Sequence, residues 1–380
     1  MKIEVYSPTI RRKEMDAVLT AMVEDKIGPG EQARLLIQIA REKLGFEYCI
    51  AIRSPAIALF LALRSLGLEE GQGLVISALS PRYYLNVLKD LRLNALYADV
   101  YPGSAGITSP CISRESIEKA INSKQGNFDI RAIVLHHTLG YLPDSAAIAE
   151  LGLPIIEDRS QSYGSTEAGI PAENPLNSSS GSATSLTVLG LEERDLLTAG
   201  GGALLYANSR KDASILRNLD ELPQEYGLPD MNAAMGVVQF KEAKKNLERR
   251  REIAGIYTQA ALRTRHGRFV EKDPIVSDGL TENQGDSEQS SADMTGGGYN
   301  NYAFPLILKT GMKDVKTYAR RKEIIVESAF DNTLIGSGLV PSGLCPEAYS
   351  LSLRTVLFPL YPRLGHEEIE RVSKLIATLP

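Results

Sequence analysis

The sequence predicts a doubly wound α/β fold with a mostly parallel sheet, followed by a smaller α+β domain. In the first half of the chain, short apolar runs alternate with helical patterns, which is typical of a parallel sheet covered by helices on both faces. A long helical pattern then separates this region from a C-terminal part with shorter elements. Because the chain has 380 residues and 43% of them are hydrophobic, it can bury two separate cores.

Two helices are predicted ahead of the sheet. Apolar residues recur at helical spacing from Met15 to Met22, which predicts a helix over residues 11–24. The Gly-Pro-Gly sequence at 28–30 stops this helix, and a second helix follows and ends at Gly45.

Five strands and their crossover helices are predicted from residue 31 to about residue 206. Each predicted strand is a short apolar run, and each helix between two strands is placed to serve as a crossover. The strand candidates are residues 48–53, 74–78, 95–100, 132–136 and 154–157. The helix candidates are residues 57–66, 84–91, 113–122 and 144–150.

A single long helix is predicted over residues 230–263 and is expected to bridge the two domains. Residues 271–298 are rich in Gly, Ser, Gln, Asp and Glu and lack periodicity, so we expect a mobile loop there. The elements expected after this loop are a strand at 302–308, a helix around 315–321 and a final helix at 366–379. The predicted division is an N-terminal helix and connection at 1–30 that packs with the small domain, a large domain at 31–262 and a small domain at 263–380.

Composition argues against several classes of function. A net charge of -5 and the lack of a basic run interleaved with aromatic residues give no signal for nucleic-acid binding. No signal segment opens the sequence and no apolar run reaches the ~20 residues of a membrane helix, so we expect a cytoplasmic protein that does not bind membranes. A metal site is not expected, because the three cysteines are far apart and the adjacent His136 and His137 would face opposite sides of a strand.

Short motifs follow one another along almost the whole chain. They are 28–30 (GPG), 54–59 (SPAIAL), 98–100 (ADV), 137–140 (HTLG), 157–164 (EDRSQSYG), 201–203 (GGA), 233–236 (AAMG), 249–253 (RRREI) and 358–364 (FPLYPRL). In order and spacing they resemble the DegT/StrS family of pyridoxal-phosphate sugar aminotransferases. The resemblance implies a fold type I architecture, a large cofactor domain with a small domain, and active sites at the interface of a homodimer.

The sequence lacks lysine between Lys124 and Lys211, the region in which the resemblance places the lysine that forms a Schiff base with the cofactor. Counting back from the later double glycine puts Arg194 at that position, whereas counting forward from the strand around Thr187 puts Glu192 there. Arginine has a pKa above about 12, so its deprotonation at neutral pH would cost roughly 7–9 kcal/mol. Arg194 is therefore not expected to act as nucleophile or proton shuttle.

Other positions keep part of the pattern that the resemblance implies for binding pyridoxal phosphate or pyridoxamine phosphate. Asp158 ends a predicted strand where the family pairs a carboxylate with the protonated ring nitrogen, although a strand-ending acid at a solvated turn is the simpler alternative. Gln161 follows where the family contacts the ring hydroxyl, with an ordinary surface glutamine as the alternative. Either Tyr83 or Arg82 falls where an aromatic residue stacks on the ring. Thr187 is placed for a phosphate contact or is only a β-branched strand residue.

The phosphate position departs most from the family pattern. The family usually has Ser-Gly-Thr at the start of the helix after the first strand, where free N–H groups meet the anion, whereas this chain has Ser54, Pro55 and Ala56. Pro55 has no N–H and Ala56 has no hydroxyl, although proline is also simply favoured in a first helical turn. Glu225 stands where the family reaches the phosphate of the neighbouring subunit, so negative charge would face a dianion. Cofactor binding is expected to be weakened.

Three hypotheses follow, and we favour the first. The chain is a non-catalytic relative that keeps the fold and the homodimer and acts as a binding or regulatory partner, with a nucleotide sugar as its ligand. Alternatively, it is a dehydratase-like enzyme that holds pyridoxamine phosphate noncovalently, with His136 or His137 as the base. The third hypothesis is an active aminotransferase in which Lys124 or Lys211 enters the pocket.

Overall fold

The computed structural model describes residues 2–100, 109–123, 126–166, 184–217, 219, 222–269, 298–309 and 311–380. The predicted mobile loop at 271–298 lies outside these residues except for Gly298, and so does Lys124. The helices within the described ranges are α1 (Arg12–Val23), α2 (Glu31–Leu44), α3 (Pro55–Ser65), α4 (Tyr83–Asp90), α5 (Arg114–Asn122), α6 (Ser145–Ala149), α7 (Arg210–Arg217), α8 (Asp230–Ala261), α9 (Met312–Arg321), α10 (Pro346–Arg354) and α11 (His366–Ala377). The strands are β1 (Tyr48–Ile52), β2 (Gly73–Ser77), β3 (Asn94–Ala98), β4 (Ile130–His136), β5 (Ile155–Asp158), β6 (Thr184–Gly190), β7 (Ala203–Ala207), β8 (Phe304–Ile307), β9 (Glu327–Ser328) and β10 (Thr355–Phe358).

Seven strands form the main sheet in the order β1-β7-β6-β5-β4-β2-β3. The pairs among β2 to β6 are parallel, whereas β7 runs antiparallel to both β6 and β1. Leu74 and Ile76 pack with α3 and α4 on one face, and Val75 packs with α5 on the other face. A strand buried on both faces is continuously apolar, which is why a short apolar run predicts it. The structure confirms the doubly wound α/β fold.

The second sheet has the order β8-β10-β9 and is antiparallel. It shares a core with α9, α11 and the C-terminal half of α8, where the rings of Tyr257 and Phe304 meet edge to face with their centroids 5.3 Å apart. Ile3 also lies in this core and forms a parallel bridge with Ile324. The N-terminal residues therefore join the second core, whereas α1 itself packs on α8.

The predicted helices and strands agree with the observed elements to within three residues at each end. Strand β3 ends earlier than its apolar run predicts, because the next residue, Asp99, has a different role. The Asp99 carboxylate accepts hydrogen bonds from the N–H groups of Glu347 at 3.0 Å and Ala348 at 2.7 Å, at the start of α10. This contact joins the main sheet to a helix almost 250 residues further along the chain, with separations of 248 and 249 residues.

The Gly-Pro-Gly motif at 28–30 packs closely against Asp230, which favours glycine at position 30. The buried Asp230 accepts hydrogen bonds from the N–H groups of Gly30 and Ala33, both at 2.9 Å, and so caps α2 from the first turn of α8. A Cβ atom on Gly30 would lie 2.9 Å from the Asp230 carboxylate, which is closer than real contacts allow. Among the helices of the described ranges, none is long and apolar enough to cross a membrane.

Candidate active site

The candidate site lies where the carboxyl ends of β2, β4 and β5 meet at one edge of the main sheet, which is the usual ligand position in such sheets. The strand register pairs Asp158 with His136 on one side and with Val188 on the other, so these three side chains share a face. Asp158 is the last residue of β5 and is buried. Its carboxylate is the centre of the site.

Both oxygens of the Asp158 carboxylate accept hydrogen bonds from the protein itself. Oδ1 accepts from the backbone N–H of Ser160 at 3.1 Å and from the Ser160 hydroxyl at 2.5 Å. Oδ2 accepts from the hydroxyl of Tyr83 at 3.1 Å and from the hydroxyl of Tyr84 at 2.7 Å. A ligand that paired with this carboxylate would have to displace one of these donors.

The two tyrosines begin α4, directly after β2 and its turn. Burial raises the pKa of both hydroxyls well above the ordinary value of 10.0, and the nearby Asp158 raises it further. Both groups therefore stay protonated at neutral pH and donate to the carboxylate. Tyr83 is half-buried and faces Asp158, whereas Arg82 is exposed. Of the two residues that the sequence left open, the structure brings Tyr83 to the site.

His136 is buried beside Tyr84, with the two rings edge to face and their centroids 6.3 Å apart. Its Nδ1 lies 3.0 Å from the Thr138 hydroxyl, and burial lowers its pKa below 6.5, so the ring is neutral at neutral pH. His137 faces the other side of the sheet, where its Nε2 lies 3.6 Å from the Glu157 carboxylate. The described residues contain no cluster of three His, Cys, Asp or Glu side chains arranged to hold a metal ion.

The loop after β6 is the place in which the resemblance expects the Schiff-base lysine. The side chain of Arg194 is 53% exposed and forms an ion pair of 2.8 Å with Glu327 of β9 in the second sheet. Asp195 instead lies next to the site, because a Cβ atom on Gly190 would lie 2.4 Å from the Asp195 carboxylate and 2.7 Å from the Ser160 hydroxyl. Burial raises the pKa of Asp195 well above its ordinary value, and the charge of Asp158 adds to this shift.

Two of the positions implied for cofactor binding, Ser54 and Gln161, have hydrogen-bond partners in the protein. The Ser54 hydroxyl accepts a hydrogen bond from the N–H of Ile57 at 3.3 Å and caps α3, with Pro55 as the first helical residue and Ala56 half-buried behind it. Gln161 lies beyond Asp158, and its side-chain carbonyl accepts a hydrogen bond from the N–H of Leu139 at 2.6 Å. These side chains stabilise turns at the edge of the sheet.

Thr187 is not brought together with Asp158. The strand register pairs Thr187 with Glu157 and with Tyr206, so its side chain lies on the opposite face of the sheet. Val188, the next residue of β6, pairs with Asp158 and lies on the same face of the sheet. A contact from Thr187 to a ligand held by Asp158 would therefore have to pass through the sheet.

Tyr299 and Asn300 contact the turns that adjoin the site, and Tyr299 packs against the core of the main sheet. The side-chain amide of Asn300 donates to the carbonyls of Gln161 at 2.7 Å and Tyr163 at 3.0 Å. The Tyr299 hydroxyl donates to the carbonyl of Leu139 at 2.8 Å. These contacts hold the turns after β4 and β5 in place.

Sequence reasoning missed Tyr84, Ser160 and Asn300. The adjacent tyrosines at the start of a crossover helix were a usable signal, because that helix begins at the same sheet edge as Asp158. Ser160 stands two residues after Asp158, where a hydroxyl commonly bonds back to the acid. For Asn300 we find no signal, because it is 139 residues from its partner Gln161.

A mostly parallel seven-stranded sheet with a smaller second sheet, and an acid at the end of a buried strand, is the architecture of fold type I transferases, as a solved aminotransferase with a TM-score of 0.78 to this chain shows. The chain belongs to the DegT/DnrJ/EryC1/StrS aminotransferase family, whose model matches residues 8–377. It is 23% identical over 273 residues to GDP-perosamine synthase of Escherichia coli O157:H7, covering 67% of this chain and 70% of that protein.

Solved structures show the same fold. A sugar aminotransferase of Streptococcus pneumoniae in its pyridoxal-phosphate form is 16% identical, with a TM-score of 0.78 over 100% of this chain and 98% of that one. A mutant GDP-4-keto-6-deoxymannose-3-dehydratase with bound GDP-perosamine is 14% identical, with a TM-score of 0.75 over 98% of this chain and 100% of that one. The chain is thus a sugar-aminotransferase-like protein related to enzymes of nucleotide-sugar biosynthesis.

The residues at this site fit pyridoxal phosphate poorly. The carboxylate of Asp158 is already paired with three side-chain hydroxyls. None of the lysines in the described part of the chain is buried. The start of α3 has Pro55, which lacks an N–H. Glu225 is exposed, and its backbone carbonyl accepts a hydrogen bond from Arg53 at 2.9 Å.

Proposed function

We propose that this protein is a family member that does not transaminate and acts as a binding or regulatory partner in nucleotide-sugar metabolism. The observation that carries the proposal is the loop after β6. The resemblance expects the lysine in this loop, where the chain has Glu192 and Arg194 instead, and Arg194 forms an ion pair with Glu327. The proposed form is a homodimer, as the family resemblance implies, and the proposed location is the cytoplasm.

The chemistry of these side chains supports the proposal. Transamination needs an amine that becomes neutral, attacks the aldehyde and later moves a proton. A carboxylate cannot form an imine, and the hydrogen bond to Glu327 raises the pKa of Arg194 further above its already high ordinary value. Neither Glu192 nor Arg194 can therefore replace the lysine.

Nucleotide sugars are the proposed ligand class. Support comes from the GDP-perosamine synthase relative and from the dehydratase neighbour, which has GDP-perosamine bound. The alternative of a noncovalent dehydratase-like enzyme needs a base that reaches its substrate. His136 lies beside Asp158 but is only 3% exposed and packs against Tyr84, so the geometry favours the binding protein.

The test is to incubate the purified protein with pyridoxal phosphate, reduce it with borohydride and map any adduct by mass spectrometry. We expect no lysine adduct and no conversion of the cofactor when glutamate is added as amino donor. GDP-perosamine synthase of Escherichia coli serves as the positive control. A stoichiometric adduct on one lysine, with turnover of the amino donor, would disprove the proposal, and calorimetry with GDP-linked and dTDP-linked sugars tests the ligand class.

A further inference from the structure

We infer that Tyr83 and Tyr84 occupy the ring-nitrogen position of the ancestral cofactor site, so that Asp158 has become an interior hydrogen-bond acceptor instead of a cofactor anchor. The proposed function rests on the missing lysine in the loop after β6. The inference rests on the surroundings of Asp158, and it predicts that the protein excludes even a cofactor form that needs no lysine.

The carboxylate of Asp158 already accepts as many hydrogen bonds as it has lone pairs for. An ionised carboxylate offers about four lone-pair positions. Four donors of this chain already use them: the N–H and hydroxyl of Ser160 on Oδ1, and the hydroxyls of Tyr83 and Tyr84 on Oδ2. A protonated pyridine ring would add a fifth donor to a carboxylate that has no position left for it.

The tyrosines are also held in place by their packing. Tyr84 is 1% exposed and belongs to the core between the sheet, α3 and α4, with His136 against its ring. Tyr83 packs edge to face on Tyr84, with centroids 5.0 Å apart. Because Tyr84 cannot leave without opening a core cavity, the half-buried Tyr83 is the side chain whose removal would expose Asp158.

The other carboxylate oxygen of Asp158, Oδ1, is held by the turn that follows β5. The Ser160 hydroxyl, which donates to Asp158, accepts a hydrogen bond from the N–H of Gly190 at 2.8 Å. Asp195 adjoins the same glycine. Asp158 therefore connects α4, the turn after β5 and the end of β6, which is a structural role.

Pyridoxamine phosphate is the appropriate probe, because it carries the ring nitrogen and the phosphate but needs no lysine. We expect at most weak binding, by calorimetry, to the wild-type protein and to Tyr83→Phe, whose ring still fills the space beside Asp158. Tyr83→Ala, which removes the ring, should bind at least about tenfold more tightly than either, a change that corresponds to about 1.4 kcal/mol. Circular dichroism confirms that each variant is folded.

Two results would overturn the inference: wild-type protein that binds the probe as tightly as Tyr83→Ala, or a folded Tyr83→Ala variant with no gain in binding. Noncovalent binding to the wild type would leave the proposed lack of transamination intact. A lysine adduct with pyridoxal phosphate would contradict the proposed function instead, so the two failures are distinguishable.

A stability measurement tests the structural role without any ligand. Asp158→Ala removes the acceptor of four buried donors and should lower the urea midpoint of unfolding, as should Asp158→Asn, which turns acceptor positions into donors. Asp331→Ala, at an exposed acid, is the control and should leave the midpoint unchanged. If Asp158→Asn unfolds at the same urea concentration as the wild type, Asp158 is not an interior acceptor.

Discussion

At the scale of single residues, the neighbours of a side chain determine its chemistry. Asp158 ends a parallel strand, where a carboxylate can bind a ligand if the adjoining helix leaves it open. Here the adjoining helix begins with Tyr83 and Tyr84, and both hydroxyls donate to it. The position of the acid is predictable from a short apolar run ending in Glu157 and Asp158. The hydrogen bonds that its carboxylate accepts cannot be predicted from the sequence, because Tyr83 and Tyr84 are 75 and 74 residues away.

The buried His137 predicts a pH dependence of stability. Burial, with smaller contributions from Arg159 and His136, lowers the pKa of His137 well below 6.5 in the folded protein. Because the unfolded chain takes up a proton first, the stabilisation is complete above about pH 6.5 and is lost as the pH falls. We expect the free energy of unfolding, measured in urea, to fall between about pH 7 and pH 5, by at most about 1.4 kcal/mol per pH unit for this one group.

The matched variants for this prediction are His137→Gln and His366→Gln. His366 is exposed at the start of α11, so its replacement should leave the pH dependence as in the wild type, whereas His137→Gln should flatten it. Burial raises the pKa of Asp195, which contributes with the opposite sign, but this contribution is common to all three proteins. Equal slopes for His137→Gln and the wild type would contradict the prediction.

At the scale of secondary structure elements, α8 does more than join the domains. Its helical pattern was predicted from apolar residues on one face, with the charged residues on the other face. Arg250 departs from that pattern: it is buried, and its Nη1 lies within hydrogen-bond distance of the carbonyls of Asn301 at 3.3 Å, Tyr302 at 3.1 Å and Leu360 at 2.8 Å. Periodicity cannot reveal such a contact, because the acceptors belong to segments 51 to 110 residues away.

Replacing Arg250 should increase the mobility of residues 299–302, which contact the turns beside the candidate site. Arg250→Met keeps the length of the side chain but removes the donor, so we expect a loss of about 2–3 kcal/mol in the free energy of unfolding. Hydrogen exchange should increase at the amide of Asn300, which donates to the Ser165 hydroxyl. Arg251→Met, on the exposed face of the same helix, is the control, and equal exchange in both variants would rule out the proposed contact.

At the scale of the whole molecule, two cores share one helix. The N-terminal half of α8 contributes Val237 and Phe240 to the core against α2 and the main sheet. Its C-terminal half contributes Ile253 and Tyr257 to the core of the second sheet. The ion pair of Arg194 with Glu327 adds a contact between the two regions, but as a partly exposed pair it is worth only about 0–1 kcal/mol.

Because the two cores are separate, a cavity in one core should increase hydrogen exchange in that core first. Phe304→Ala should cost about 3–5 kcal/mol and increase hydrogen exchange first in β8, β9 and β10. Phe240→Ala should have a similar cost but increase exchange first in β1, β6 and β7. If either variant increases exchange uniformly over both sheets, the molecule opens as one cooperative unit.

The sequence by itself determined the fold class, the alternation of strands and helices in the parallel part of the main sheet and the missing lysine, because apolar periodicity, turn residues and residue identity are local properties. It did not predict β7, α7, β9, α10 or β10. Only the tertiary structure decided how the site is built. It placed Thr187 on the far face of the sheet, turned Arg194 towards Glu327, and brought two tyrosine hydroxyls to Asp158. These outcomes depend on strand register and on contacts between residues far apart in the chain, which no local pattern encodes.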